Sequence, residues 1–170
     1  MEHSPTLVPA RIPSKRRILD QSQKRETMYK TTITPRFNET DAVGHINNTK
    51  FPAWFEAARR DFFAEFDPDL ATDPWTLLVV RYELNFLKEV NWVPEVTIHT
   101  SISRLGRTSV TLHEELYQEG ELCVVSEVTY VNVDPRTRRP EAVPNPVREK
   151  LSAHLSTKPN EYNQEGASDA

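Results

Sequence analysis

The stretch that decides the fold is Arg36-Phe37-Asn38-Glu39-Thr40-Asp41-Ala42-Val43-Gly44-His45-Ile46-Asn47-Asn48-Thr49-Lys50-Phe51, continuing through Pro52-Ala53-Trp54-Phe55-Glu56-Ala57-Ala58-Arg59 to Phe66. Its first half gathers an acid, an imidazole, two amides and a glycine into what reads as a turn. Its second half repeats Phe51, Trp54/Phe55, Ala58, Phe62 and Phe66 at helical spacing, with Glu56 and Arg60 placed to pair across one turn on the other side. Asn47 or Asn48 suits an N-cap, and Pro52 then falls in the first turn, where its missing N–H costs little. The spacing predicts a single helix over 51–66, so aromatic on one face that a sheet must cover it.

Outward from that helix, the pattern changes to strands. Upstream, Tyr29, Thr31, Ile33, Pro35 and Phe37 alternate with polar neighbours, and Pro35, which cannot donate to a ladder, predicts an edge strand or a bulge. Downstream, after Asp67-Pro68-Asp69, four more strands are expected. Their apolar faces are Leu78/Val80/Tyr82/Leu84/Phe86, Val96/Ile98/Thr100/Ile102, Val110/Leu112/Leu116, and a run from Leu122 to Val133 that is apolar on both sides and therefore central. Glycines at 106 and 120 mark hairpins, which gives an antiparallel meander. A short amphipathic stretch around Val147–Leu155 is placed to cap the domain. The fold class is α+β: an antiparallel five-stranded sheet around one long helix. One helix cannot cover both faces of such a sheet, and the last strand is apolar on both, so a second copy of the chain is expected as a partner in a homodimer.

Composition agrees with one globular domain at 28–155 between a disordered leader, 1–27, and a disordered tail, 156–170. The chain has 170 residues, 37% hydrophobic and 27% charged, with a mean hydropathy of -0.62. Net charge is -4, but the leader holds six Lys/Arg against three acids and the tail one Lys against three acids, so residues 28–155 carry -5. A globular part of that sign lacks the basic face that nucleic-acid binding requires. Apolar runs are too short for a bilayer span, and the N-terminus has no apolar signal core. The single cysteine, Cys123, excludes an internal disulfide framework and reads as a small buried residue. A cytoplasmic protein is expected, without membrane contact. His99 and His113 lack metal-ligand spacing, so neither metal nor cofactor is expected.

The order strand–helix–four strands, with Thr40-Asp41-Ala42-Val43-Gly44-His45-Ile46-Asn47-Asn48 at the first junction and Phe55-Glu56-Ala57-Ala58-Arg59 inside the helix, resembles the hotdog-fold acyl-CoA thioesterases. Within them it looks most like the 4-hydroxybenzoyl-CoA thioesterase-like branch, which Val131-Asn132-Val133-Asp134 and Arg136-Thr137-Arg138-Arg139-Pro140 also resemble. The resemblance spans about residues 28–155 and implies hydrolysis of an acyl-CoA at a site shared between two subunits of a homodimer or homotetramer. Asp41 matches the family's catalytic acid. Plant acyl-carrier-protein thioesterases have a similar turn with an Asn where this chain has Val43, so that amide's role is lost here, while His45 and Asn47 match. In the hotdog hydratases the His follows the Asp by five residues; here His45 follows Asp41 by four, which argues against that chemistry.

A thioester carbonyl is already electrophilic, so its hydrolysis needs an attacking oxygen, a stabiliser for the oxyanion and a pocket. Asp41 can serve as general base or as nucleophile; the plainer reading is a carboxylate closing a turn. Gly44 would let the chain approach a ligand closely, or is an ordinary turn glycine. His45 could orient a water or hold the thioester oxygen, or be a structural hydrogen-bonded histidine. Asn47 and Asn48 are each a cap or a substrate contact. Backbone N–H groups at the helix entrance, around Asn48–Phe51, are the expected oxyanion donors. Arg104 and Arg107 flank the Gly106 hairpin and match the region where relatives grip the phosphates of coenzyme A; solvated hairpin charges are the alternative. Arg136, Arg138 and Arg139 form a second candidate cluster. Two other functions stay open: a non-catalytic acyl-CoA-binding protein and an acyl-carrier-protein thioesterase.

Overall fold

The computed structural model describes residues 29–70 and 75–155, so the leader and tail expected from sequence lie outside the described residues. Five strands, β1 (Tyr29–Ile33), β2 (Leu77–Phe86), β3 (Val96–Leu105), β4 (Ser109–Gln118) and β5 (Glu121–Asn132), form one antiparallel sheet in the order β1-β3-β4-β5-β2. β1 is an edge strand, one of the two outcomes expected from Pro35, and β5 is interior, as its two-sided apolar pattern predicts. The four-strand meander contracts to three: β3, β4 and β5 follow one another through hairpins, whereas β2 joins the outer side of β5. At the β4–β5 turn Glu119 and Gly120 both take positive φ, the conformation a tight two-residue hairpin requires.

The helix is present but is not continuous. α1 (Phe51–Ala58) and α2 (Arg60–Phe66) are separated at Arg59, whose ψ of 2° breaks the helical run. Each half buries aromatic residues against a different part of the sheet. Phe51, Trp54, Phe55 and Ala58 pack with Val96, Ile98, Leu116 and Val124. Phe62 packs with Ile102, Leu112, Val128 and Tyr130, and α3 (Asn145–Ala153) closes that end with Val147 and Leu151. Each fully buried side chain of the Phe55 or Phe62 kind contributes about 1.5–3 kcal/mol, so the helix is held chiefly by this stripe.

Two sequence expectations fail locally. Phe37 is not in β1; Pro35 ends the strand early, and Phe37 sits in a short 3-10 turn, 71% exposed, with its ring edge-on to Trp92 at 5.3 Å. In β2 the register shifts between Val79 and Arg81, and one extra residue inverts the in–out parity. Leu77 therefore faces the core while Val79 and Val80 are 54% and 60% exposed on the sheet's edge strand.

Candidate active site

The Asp41 turn is built by its own backbone. Thr40 and Ile46 form a bridge, the Asp41 N–H donates to the His45 carbonyl at 2.8 Å, and Gly44, at φ 90°, supplies the conformation that side-chain-bearing residues rarely adopt. Asp41 Oδ1 accepts the N–H groups of Val43 at 2.9 Å and His45 at 3.2 Å, an Asx-type closure. The plain reading of Asp41 is thus correct for one oxygen. Its other oxygen, Oδ2, takes no hydrogen bond among the described residues, and Asp41 lines an open cleft of about 600 Å³.

Val43, His45, Ile46, Asn47, Asn48, Phe51 and the segment Phe86–Val90 complete that cleft. The far wall, absent from the sequence reading, is the chain leaving β2. The Ile46 N–H donates to the Val90 carbonyl at 2.7 Å, His45 bridges to Asn91, and His45 Nε2 lies 3.3 Å from Glu89 Oε2. Phe86 closes the apolar side, its ring 5.6 Å from that of Phe51. The two asparagines divide their roles: Asn47 caps, accepting the Thr49 N–H and hydroxyl at 3.0 and 2.7 Å, and Asn48 is exposed at the cleft. Asn47 also occupies two of the expected oxyanion donors, because its carbonyl takes the Lys50 N–H at 2.9 Å and its side chain takes that of Thr49.

Arg104 and Arg107 are not brought to this cleft. The Asp41 turn abuts the end of the sheet where β3 begins, at Val96, and Arg104 lies eight residues along that strand, roughly 26 Å away. Both are exposed at the opposite end, beside the exposed Arg136, Arg138 and Arg139, which follow β5. Five arginines thus share the pole farthest from Asp41.

A second group of charges went unread in the sequence. Arg59, 3% exposed, donates through Nε and Nη2 to the two oxygens of Glu114, itself 0% exposed, at 2.9 and 2.7 Å. The Ser126 hydroxyl donates to Glu114 Oε2 at 2.7 Å, Arg59 Nη1 donates to the Tyr130 hydroxyl at 3.2 Å, and the guanidinium lies 4.9 Å from the centre of the Tyr82 ring. Burial works against the charge on Arg59, but the Glu114 bonds outweigh it and hold the guanidinium protonated beyond its ordinary range. Two signals pointed to the pair. Arg59 continues the apolar stripe of the helix, and Glu114 occupies an inward position of β4 between Leu112 and Leu116. Opposite charges on two buried faces need each other. Cys123 is buried, as expected, and burial pushes its thiol up. Among the described residues no group of three or more His, Cys, Asp and Glu is arranged to hold a metal ion.

An antiparallel five-stranded sheet closed over one helix, with an acid-bearing turn at the helix entrance, defines a hotdog protein. The chain belongs to the thioesterase-like superfamily, whose family model matches residues 35–151. Among curated proteins it is 30% identical to the uncharacterized protein YsmA of Bacillus subtilis over 66% of this chain and 78% of that one. It is 26% identical both to a 1,4-dihydroxy-2-naphthoyl-CoA hydrolase of Synechococcus, over 74% and 90% of the two chains, and to the long-chain acyl-CoA thioesterase FadM of Escherichia coli, over 71% and 95%. Among solved structures, a predicted thioesterase from Bacillus stearothermophilus superposes with a TM-score of 0.73 at 42% identity, over 78% of this chain and 98% of that one. A Thermus thermophilus thioesterase complexed with coenzyme A and Zn gives 0.67 at 26% identity, over 75% and 93%. No helix among the described residues is long and apolar enough to cross a membrane.

Proposed function

We propose that the chain is a cytoplasmic acyl-CoA thioesterase, one hotdog domain over 28–155, that hydrolyses a fatty or aromatic acyl-CoA with Asp41 as general base or nucleophile. The observation that carries the reading is the half-used carboxylate: Oδ1 closes the turn and fixes the side chain, leaving Oδ2 for a water or the thioester carbon. His45, held toward Glu89, is placed to orient the water or the thioester oxygen, Gly44 gives close access, and Asn48 contacts the substrate. The CoA-ester substrates in the names of two relatives, and the coenzyme A bound in the Thermus structure, support the substrate class.

The homodimer reading gains support from the edge of the sheet. β2 presents unpaired backbone and the exposed Val79, Val80 and Phe86, a combination that calls for a second strand. β2 runs from the arginine pole, where Leu77 pairs with Asn132, to the cleft, where Phe86 lies. Antiparallel pairing of two such edges reverses one of them, which sets the arginine pole of one subunit beside the cleft of the other. In that arrangement the coenzyme A phosphates meet Arg104 and Arg107 of the partner subunit, with Arg136, Arg138 and Arg139 of the partner subunit nearer the shared edge. The test is thiol release from a panel of acyl-CoAs of graded chain length plus aryl-CoAs, run beside the matching acyl-carrier-protein esters. Turnover of at least one CoA ester above its carrier-protein counterpart is expected; binding of every ester without thiol release would sink the enzymatic reading.

A further inference from the structure

We propose that Glu39 and Trp54 form a strap that holds the Asp41 turn at its working position against the helix, making them positioning residues for the reaction. The inference rests on the thioesterase reading above. Glu39 stands two residues before Asp41 and receives a hydrogen bond from three separate segments. Its Oε2 accepts the N–H of Arg36, at the exit of β1, at 2.7 Å. Its Oε1 accepts the indole N–H of Trp54, on α1, at 3.1 Å. Its backbone carbonyl accepts the N–H of Asn47, on the far side of the turn, at 2.8 Å.

Trp54 is a stiff anchor for such a strap. It is buried in the core under the first half of the helix, with its ring edge-on to Phe51 at 5.5 Å. Phe51 in turn meets Phe86, so the wall of the cleft and the strap share one packed column. Burial of an indole demands a partner for its N–H, and a carboxylate meets that demand with a charge-assisted bond. The other attachment of the turn, through Val90 and Glu89, holds its opposite limb. The strap therefore fixes the limb that enters Asp41, and the β2 exit fixes the limb that leaves it. Neither Glu39 nor Trp54 lines the cleft, so they act on the substrate only through where they put Asp41. A displacement of about 1 Å at a reacting group can cost on the order of 10²-fold in rate.

The experiment compares Trp54→Phe, Glu39→Ala and Glu39→Gln with the wild-type chain, using thiol release from the acyl-CoA that the panel identifies. Trp54→Phe and Glu39→Ala are expected to lower kcat about 10- to 100-fold with KM within about twofold. Glu39→Gln, whose amide oxygen can still accept the indole N–H, should recover part of the loss. Unchanged kcat, a loss confined to KM, or no difference between the Gln and Ala variants would overturn the strap. Amide hydrogen exchange supplies a readout independent of turnover: the Val43 and His45 N–H groups, which donate to Asp41 Oδ1, should exchange faster in Trp54→Phe and Glu39→Ala. Equal exchange in those variants and the wild type would also overturn it. A wild-type chain that releases no thiol defeats the thioesterase reading instead, and exchange still decides whether the strap holds the turn.

Discussion

Glu114 and Asp41 are carboxylates at opposite ends of what a protein can do with one. Glu114 is sealed under the helix break, and its oxygens take three hydrogen bonds, from Arg59 Nε, Arg59 Nη2 and Ser126. Asp41 sits half-buried on a cleft with one oxygen tied down and the other open. A carboxylate in the dry interior with three of its roughly four lone-pair sites occupied is a structural fastening, because nothing can reach it and little acceptor capacity is left over. A half-saturated one at a surface is held in place yet still chemically available. Hydrogen-bond occupancy, more than charge or burial alone, separates the two roles.

The sharpest way to break that contrast is Asp41→Asn. The amide oxygen can still accept the Val43 and His45 N–H groups, so stability should stay within about 0.5 kcal/mol, whereas acyl-CoA turnover should fall about 10²- to 10⁴-fold. Near-normal turnover would return Asp41 to a turn closer. Arg59→Met tests the other member. It strands Glu114 as a buried charge and should cost about 3–5 kcal/mol in denaturant unfolding, while replacing both partners with apolar residues should cost less than the single change. A loss under about 1 kcal/mol would mean that the pair is not the fastening described.

A smaller effect is expected at the edge of β2. Val80→Asp places a charge on the exposed apolar edge and should shift sedimentation from dimer to monomer, with a raised KM for acyl-CoA if the partner's arginines hold its phosphates. The wild type sedimenting as a monomer at micromolar concentration would remove the shared site. The smallest effect concerns Tyr130, which accepts from Arg59. Burial pushes its hydroxyl above the ordinary tyrosine range despite the opposing pull of Arg59. An unfolded tyrosine ionises near pH 10 and the folded one later. Stability is therefore whole below about pH 10 and declines as the pH rises above it. Thermal unfolding across that range should show a shallower decline for Tyr130→Phe.

How much of this was legible in sequence depended on the reach of each interaction. Asp41, Gly44, His45, Asn47 and Asn48 lie within eight consecutive residues, so their turn could be read directly, and the division of labour between Asn47 and Asn48 was open only because both fit a cap. The β2 exit that forms the other wall, Phe86–Val90, is some forty residues downstream in the chain, and no local pattern links it to the turn. Nothing local singles out Glu39, because its meaning comes from Trp54, 15 residues away. Arg104 and Arg107 carried an expectation that a single subunit cannot meet.

The sequence by itself determined the elements and the chemistry at hand. Period-two and period-3.6 apolar patterns, Pro35, and the glycines of the turns act over a few residues, and they specified five strands, a helix and the acid-bearing turn between them. Only the tertiary structure decided the strand order, the inverted parity at the β2 bulge, the break at Arg59 and the partners of Glu114, Glu89 and Glu39. Those depend on which distant faces share one core. There a buried charge must find its opposite, at positions the local pattern does not encode.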